Sequence, residues 1–385
     1  MKLFDVYPLY DLCPVRGQGA YVWDDQGTRY LDFYGGHAVI SIGHGHPHFT
    51  ARLSEQLGSL AFYSNSVINP LQQELADLLG AMSDCKDYQL FLCNSGAEAN
   101  ENALKMASFE TGRKKVIAFK HAFHGRTSAA VNVTDSKGIQ APINTTFEVS
   151  YLPLGDVEAL EDALRPSDAA AVIVEGIQGI GGIHLPSQDF LRALAEGCRR
   201  TGTILILDEI QSGYARSGSF FAFQKSGIQP DIISMAKGMG NGFPIGGILL
   251  HPRFTPRHGL LGTTFGGSHL ACAAGLAVLE VIRDENLIAR AATMGEMLMG
   301  ALRDARLPGV TDIRGEGLMT GIAFDYATGP LRKQLLMEYH IFTGSSSDPN
   351  TMRLLPSLTI GETEIGQLLE GLRKALRTAS KMHSV

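Results

Sequence analysis

At 385 residues the chain is long enough for two ordinary domains and a sizeable core, and 44% hydrophobic against 19% charged residues excludes a disordered protein. A formal charge of −6 and a pI near 6.1 remove any electrostatic reason to expect nucleic acid or an anionic membrane as partner. Asp5, Pro8, Asp11 and Pro14 leave the first twenty residues without the apolar core of a signal peptide, and no apolar run is long enough to span a bilayer. Five scattered cysteines without a C-x-x-C pair suit reduced thiols in a cytosolic enzyme and argue against a disulfide framework or a zinc knuckle.

In chain order, Ala20–Trp23 and Arg29–Phe33 flank Asp24-Asp-Gln-Gly and read as a hairpin. Gly43-His-Gly-His-Pro-His48 sets three histidines at alternate positions, but Gly45 and Pro47 break a strand and no acid or thiol is near in sequence. A loop opening a helix is expected there, not a metal site. From residue 88 strand-like and helical runs alternate. The strands are Gln89–Cys93, Lys115–Phe119, Ala170–Glu175, Thr203–Glu209, Asp231–Ala236 and Ile245–Leu250, and the helices include Ala97–Glu110, Val157–Leu164 and Gln188–Arg200. Continuous apolar strands joined by helices predict an α/β fold with a mostly parallel sheet, and ligand groups at its carboxyl edge. Beyond Thr263-Thr-Phe-Gly-Gly267 come helices Leu270–Ile282 and Ala291–Arg306, short strands at Gly321–Phe324, Ile341–Thr343 and Met352–Leu355, and a final amphipathic helix Glu362–Thr378. That texture predicts a smaller α+β unit. The expected division is 1–45, an N-terminal segment packing with the small domain; 46–268, the large domain; and 269–385, the small C-terminal domain.

Chemistry-bearing residues fall at the strand ends. Lys237 sits where Asp231–Ala236 gives way to a glycine-rich loop; partial desolvation there lowers a lysine's pKa and makes it a candidate amine nucleophile for a Schiff base. The plain alternative is a lysine whose stem packs on the strand end. Asn94-Ser-Gly-Ala97 ends a strand and opens a helix, a seat for a phosphate or a simple N-cap. Asp208 and Glu209 alternate along their strand, so one faces the site and the other the structure. A buried carboxylate needs a partner, for which a protonated pyridine nitrogen or a structural arginine would serve. Phosphate seat, carboxylate and lysine together are what pyridoxal 5′-phosphate requires, with Phe123 available to stack on its ring. A dinucleotide site is the competing reading, yet neither glycine run, 238–242 or 179–182, matches G-x-G-x-x-G between a strand and a helix.

The ordered set Gly43-His-Gly-His-Pro, Asn94-Ser-Gly-Ala-Glu-Ala, Phe123-His-Gly-Arg-Thr, Glu175 with Gln178-Gly, Leu207-Asp-Glu-Ile-Gln-Ser-Gly, Met235-Ala-Lys-Gly, Phe243-Pro-Ile-Gly, Thr264-Phe-Gly-Gly and Met352-Arg-Leu-Leu-Pro runs through nearly the whole chain. It resembles the class III, fold-type I pyridoxal-phosphate aminotransferases, in particular their N-acetylornithine branch. The resemblance implies a large domain with a mostly parallel, seven-stranded-type sheet. It implies Lys237 as the Schiff-base lysine and proton carrier, Asp208 against the ring nitrogen, Gln211 at the ring hydroxyl, and Phe123 and Ile210 on the two ring faces. Ser95, Gly96 and Ala97 would hold the phosphate, completed by Thr264 of a neighbouring subunit in a homodimer. Arg126 would bind the donor's carboxylate and Arg353 the α-carboxylate of 2-oxoglutarate, with Glu175 in the substrate region. The implied reaction is ping-pong transfer of the δ-amino group of an N-acylornithine to 2-oxoglutarate in arginine biosynthesis, with free ornithine or 4-aminobutyrate as other ω-amine donors of the same fold.

Two positions depart from that pattern. Ile180 stands where relatives carry a glutamate that neutralises the 2-oxoglutarate arginine, and His37 where they carry an apolar residue or a tyrosine. A pocket more cationic than usual is the expectation, with N-succinylornithine a rival to N-acetylornithine.

Overall fold

The computed structural model describes residues 1–382. Its first strands, β1 (Pro14–Gln18), β2 (Tyr21–Asp24) and β3 (Arg29–Asp32), form an antiparallel meander, the second pair being the expected hairpin. Asp24 makes the turn: its Oδ1 accepts from the Gln26 and Thr28 amides, so the side chain substitutes for backbone partners.

Then come β4 (Gln89–Cys93), β5 (Lys115–Phe119), β6 (Val149–Leu152), β7 (Ala169–Glu175), β8 (Ile204–Asp208), β9 (Ile232–Met235) and β10 (Gly246–Leu250), in one sheet of order β4-β10-β9-β8-β7-β5-β6. β10 runs antiparallel to both neighbours and the rest are parallel. Every residue of β7, β8 and β9 is buried, which explains their unbroken apolar sequences: helices cover both faces. The helix Gln188–Thr201 shows how. It buries Phe190, Leu191, Leu194 and Cys198, is opened by Ser187 accepting from the Phe190 amide, and stops at Gly202 with φ 66°. β6 was not foreseen; its half-buried Val-Ser-Tyr-Leu lies at the sheet edge and lacks a continuous apolar signal.

Downstream, the helix His269–Asp284 is buried along most of its length and packs on the helices Pro47–Ser59 and Pro70–Ser83. β11 (Val310–Glu316), β12 (Met319–Phe324) and β14 (Thr351–Leu354) make an antiparallel sheet, while β13 (Ile341–Phe342) crosses to pair in parallel with β3. The N-terminal strands and the C-terminal part of the chain therefore share one sheet. The last helix, Glu362–Met382, follows. Among the described residues no helix is long and apolar enough to cross a membrane.

The three histidines of 44–48 do open a helix, at Pro47. Carboxylates distant in sequence reach each of them: Asp32 binds His44, Glu285 binds His46 and Glu280 binds His48. These are separate pairs; no cluster of potential ligands among the described residues is disposed to hold a metal.

Candidate active site

The carboxyl ends of β4, β5, β7, β8 and β9 meet at one sheet edge, around a cavity of about 400 Å³ lined by Ser95, Gly96, Ala97, Phe123, Arg126, Glu175, Ile180, Asp208, Ile210, Gln211 and Lys237 among others. Asp208 closes β8 and is 4% exposed. Its Oδ2 is 2.7 Å from His124 Nδ1 and accepts from Asn100 Nδ2 at 2.8 Å, while Oδ1 accepts from the Ile210 amide at 3.0 Å. Of the adjacent acids, Asp208 faces the cavity. Glu209 turns the other way and accepts from Ser212 Oγ and the Ala222 and Phe223 amides, so it organises a loop. Glu175 ends β7 and accepts from the Phe123 and Gly179 amides, tying together two loops that border the cavity. Burial, reinforced by the Asp208 charge, pushes its carboxyl up to about 7.

Lys237 lies one residue, Ala236, beyond the end of β9, with φ 47°, a left-handed conformation that costs a non-glycine residue about 1 kcal/mol or more. It is retained because β9 and the turn Lys237–Met239 fix the backbone on both sides and aim the side chain into the cavity. Burial pushes its amine down to about 8, Asp208 opposing the shift and Arg353 adding to it. Lys237 and Asp208 both line the cavity.

Ser95 is the N-cap of the helix Gly96–Thr111, its Oγ accepting from the Glu98 amide. First-turn N–H groups have no intrahelical acceptor, so Gly96 and Ala97 present theirs to the cavity with the positive end of the helix dipole. A Cβ on Gly96 would lie 2.8 Å from Ile210 Cδ1, so only glycine lets Ile210 pack under the helix end. Phe123 and Ile210 both border the cavity.

The two arginines differ sharply. Arg126 is on the cavity wall and exposed. Arg353, on β14, is 0% exposed and lies behind the cavity lining, not in it; Nε donates to the Ser345 carbonyl and Nη1 to Oε1 of Gln211, which does line the cavity, at 3.1 Å. No carboxylate among the described residues lies within 4.0 Å of it, and burial pushes its guanidinium down to about 10. Gln211 spends its other end on the His37 carbonyl, at 3.1 Å. His37 is not on the cavity wall; its Nε2 lies 2.5 Å from Tyr34 Oη. Loss of hydration, with the Arg353 and Lys237 charges, pushes its imidazole down to about 4, so His37 adds no positive charge at neutral pH. Ile180 lines the cavity, and its carbonyl accepts from the Ser347 amide. Thr264 is exposed and outside this cavity. Asn100, His124 and Tyr34 were not singled out from the sequence. Asn100 lies one helical turn after Gly96, a spacing that places it on the same face.

The donor set suits pyridoxal 5′-phosphate: a helix N-terminus for a dianion, a buried carboxylate for a protonated ring nitrogen, a lysine of lowered basicity, and a cavity of the right size. Fold and site together define a fold-type I pyridoxal-phosphate transferase. Residues 5–376 match the family aminotransferase class-III, and the chain belongs to that family, whose members depend on pyridoxal phosphate. It is 39% identical to the acetylornithine aminotransferase of Bacillus subtilis, over 97% of both chains. To that of Methanothermobacter thermautotrophicus it is 43% identical over 80% of each. An ornithine aminotransferase structure from Toxoplasma gondii, in which PLP partially occupies the active site, superposes with a TM-score of 0.90 at 30% identity, covering 98% of this chain and 93% of that one.

Proposed function

We propose that the chain transfers the δ-amino group of N2-acetyl-L-ornithine to 2-oxoglutarate, giving N-acetyl-L-glutamate 5-semialdehyde and L-glutamate, as a cytosolic step of arginine biosynthesis. The observation that carries this reading is Arg353: a wholly buried guanidinium with no carboxylate among the described residues within 4.0 Å, which is costly unless a ligand carboxylate completes it. The names of the relatives support the donor.

Bound pyridoxal phosphate supplies the aldehyde that accepts the amino group and a ring that draws electrons from the reacting carbon. The chain's residues do the rest. Lys237, whose amine burial pushes down to about 8, would hold the cofactor covalently at rest and, once released, would carry the proton between the substrate carbon and the cofactor carbon in a 1,3 shift. Asp208, steadied by His124 and Asn100, would keep the ring nitrogen protonated. The Gly96 and Ala97 amides and the Ser95 hydroxyl would hold the cofactor's phosphate, and Phe123 and Ile210 would flank its ring. Arg126 takes the donor's carboxylate and Arg353 the 2-oxo acid's.

Thr264 reaches the phosphate of a second copy in a homodimer. Support comes from the exposed Phe62, Tyr63, Val67 and Ile68 beside exposed Phe265, whose ring centroid is 5.3 Å from that of Phe62. The confinement of the seven-stranded sheet to residues between 46 and 268 supports that span as the cofactor-binding unit.

A second reading, N-succinylornithine as donor, is favoured by Ile180: with no glutamate there, Arg353 keeps its charge for anions in both half-reactions. The test is kcat/KM for acetyl-, succinyl- and free ornithine and 4-aminobutyrate. Preference for the acetyl donor supports the first reading and for the succinyl donor the second, while preference for free ornithine or 4-aminobutyrate refutes both. Lys237→Ala should abolish turnover with every donor, a loss of about a thousandfold or more.

A further inference from the structure

Arg353 is held by an amide, and the amide is held by a strained turn. Gln211 offers its oxygen to Arg353 Nη1 while its nitrogen donates to the His37 carbonyl. A carbonyl only accepts, so His37 O determines which end of the amide faces the guanidinium. That carbonyl is aimed by one left-handed helical turn: Gly35, Gly36, His37 and Ala38 have φ of 56°, 55°, 68° and 65°. The turn closes through Ala38 N to Tyr34 O and Val39 N to Gly35 O, and is started by Asp32 Oδ1, which accepts from the Tyr34 and Gly35 amides. The Tyr34 hydroxyl against His37 Nε2 fixes the ring of the same residue. On the far side, a Cβ on Gly179 would fall 1.7 Å from Gln211 Oε1, so the loop carrying Ile180 leaves room for the amide in this orientation. Two non-glycine residues in left-handed backbone next to the cavity are a feature that folding alone does not call for.

We propose that Gln211 is the positioning residue of Arg353, and that the left-handed turn at 35–38 exists to orient it. A neutral oxygen holds the guanidinium through one hydrogen bond and leaves its charge for the incoming carboxylate; a carboxylate in that place would form an ion pair that the substrate has to break. Ile180, contributing no charge, is consistent with the same design. The inference rests on the reading that Arg353 receives the 2-oxo acid.

The experiment measures the two half-reactions separately at saturating cofactor, together with inhibition by glutarate, a dicarboxylate that cannot react. In Gln211→Glu both half-reactions can slow, since Gln211 also borders the cofactor cavity, but the KM for 2-oxoglutarate and the inhibition constant of glutarate should rise at least about tenfold more than the KM for N-acetylornithine. Gly36→Val alters the turn at a position with open space around it, and should move the acceptor constants the same way by about threefold. If Gln211→Glu does not fold, Gly36→Val carries the test alone. Equal shifts in both half-reactions, or glutarate binding unchanged from the parent, overturn the proposal. Arg353→Lys separates the two claims: unchanged glutarate inhibition in that variant refutes the role of Arg353 itself. Weakened inhibition there, beside parent-like inhibition in Gln211→Glu, refutes only the role of Gln211.

Discussion

Arg353 and Arg216 are both buried, at 0% and 2% exposure, neither has a carboxylate within 4.0 Å among the described residues, and burial pushes both guanidinium groups down to about 10. Their surroundings divide them. Arg216 donates to three backbone carbonyls, Leu318, Pro356 and Ile40, and so pins the N-terminal segment and the C-terminal sheet region to the loop after β8. Arg353 has one carbonyl and one amide oxygen, on a guanidinium with five N–H groups. Burial and a lowered pKa alone do not mark a functional arginine. What divides the two is how many acceptors the protein gives them, three at Arg216 and two at Arg353 among the described residues.

The contrast is tested hardest by giving each arginine the same substitution. Arg353→Met should lower kcat/KM for 2-oxoglutarate by about a hundredfold to a thousandfold, yet change stability by no more than about 1 kcal/mol, since an under-paired buried charge is replaced by a side chain of similar length. Arg216→Met should do the reverse: it strands three carbonyls and should cost about 3–5 kcal/mol in denaturant unfolding, with the KM of the folded enzyme nearly unchanged. The contrast fails if Arg353→Met is the one that unfolds. Ile180→Glu sharpens it by putting an anion on the cavity wall that also bears Gln211, the side chain that holds Arg353. We expect the KM for 2-oxoglutarate to rise about tenfold, with a succinyl donor weakened more than an acetyl donor. An equal effect on all donors would place the extra carboxylate away from Arg353.

The smallest effect concerns pH. Lys237 has a lowered folded-state pKa, so its contribution to stability is present above the unfolded value near 10.5 and is lost as pH falls through about 8. Glu175 has the opposite sign: its contribution is present below about 4.5 and lost as pH rises through about 7. For the cofactor-free protein, the rate of pyridoxal phosphate capture should therefore rise with a midpoint near 8. An ordinary lysine would be only about 0.4% uncharged at that pH. A midpoint near 10 would remove the desolvation argument for Lys237.

Much of this site is legible in one dimension because the sheet's carboxyl edge is built from local signals. An apolar run that ends in Asp208, in Glu175 or just before Lys237 tells where each side chain emerges, since parallel strands align their ends. The same logic located Ser95–Ala97, where a strand stops and a helix starts. Edge strand β6 was not legible, because half-buried strands carry no continuous apolar run.

The sequence alone therefore determined the fold-type and where Lys237, Asp208 and Ser95–Ala97 emerge, each at the end of a single element. Tertiary structure decided what surrounds them. It chose Asp208 over Glu209, brought Asn100 and His124 to the chosen acid, and met each histidine of 44–48 with its own carboxylate. It also placed Gln211 between the His37 carbonyl and Arg353, residues 174 and 142 positions away along the chain. Partner choice at that separation depends on how three sheets pack, and no periodicity or spacing in the sequence encodes it.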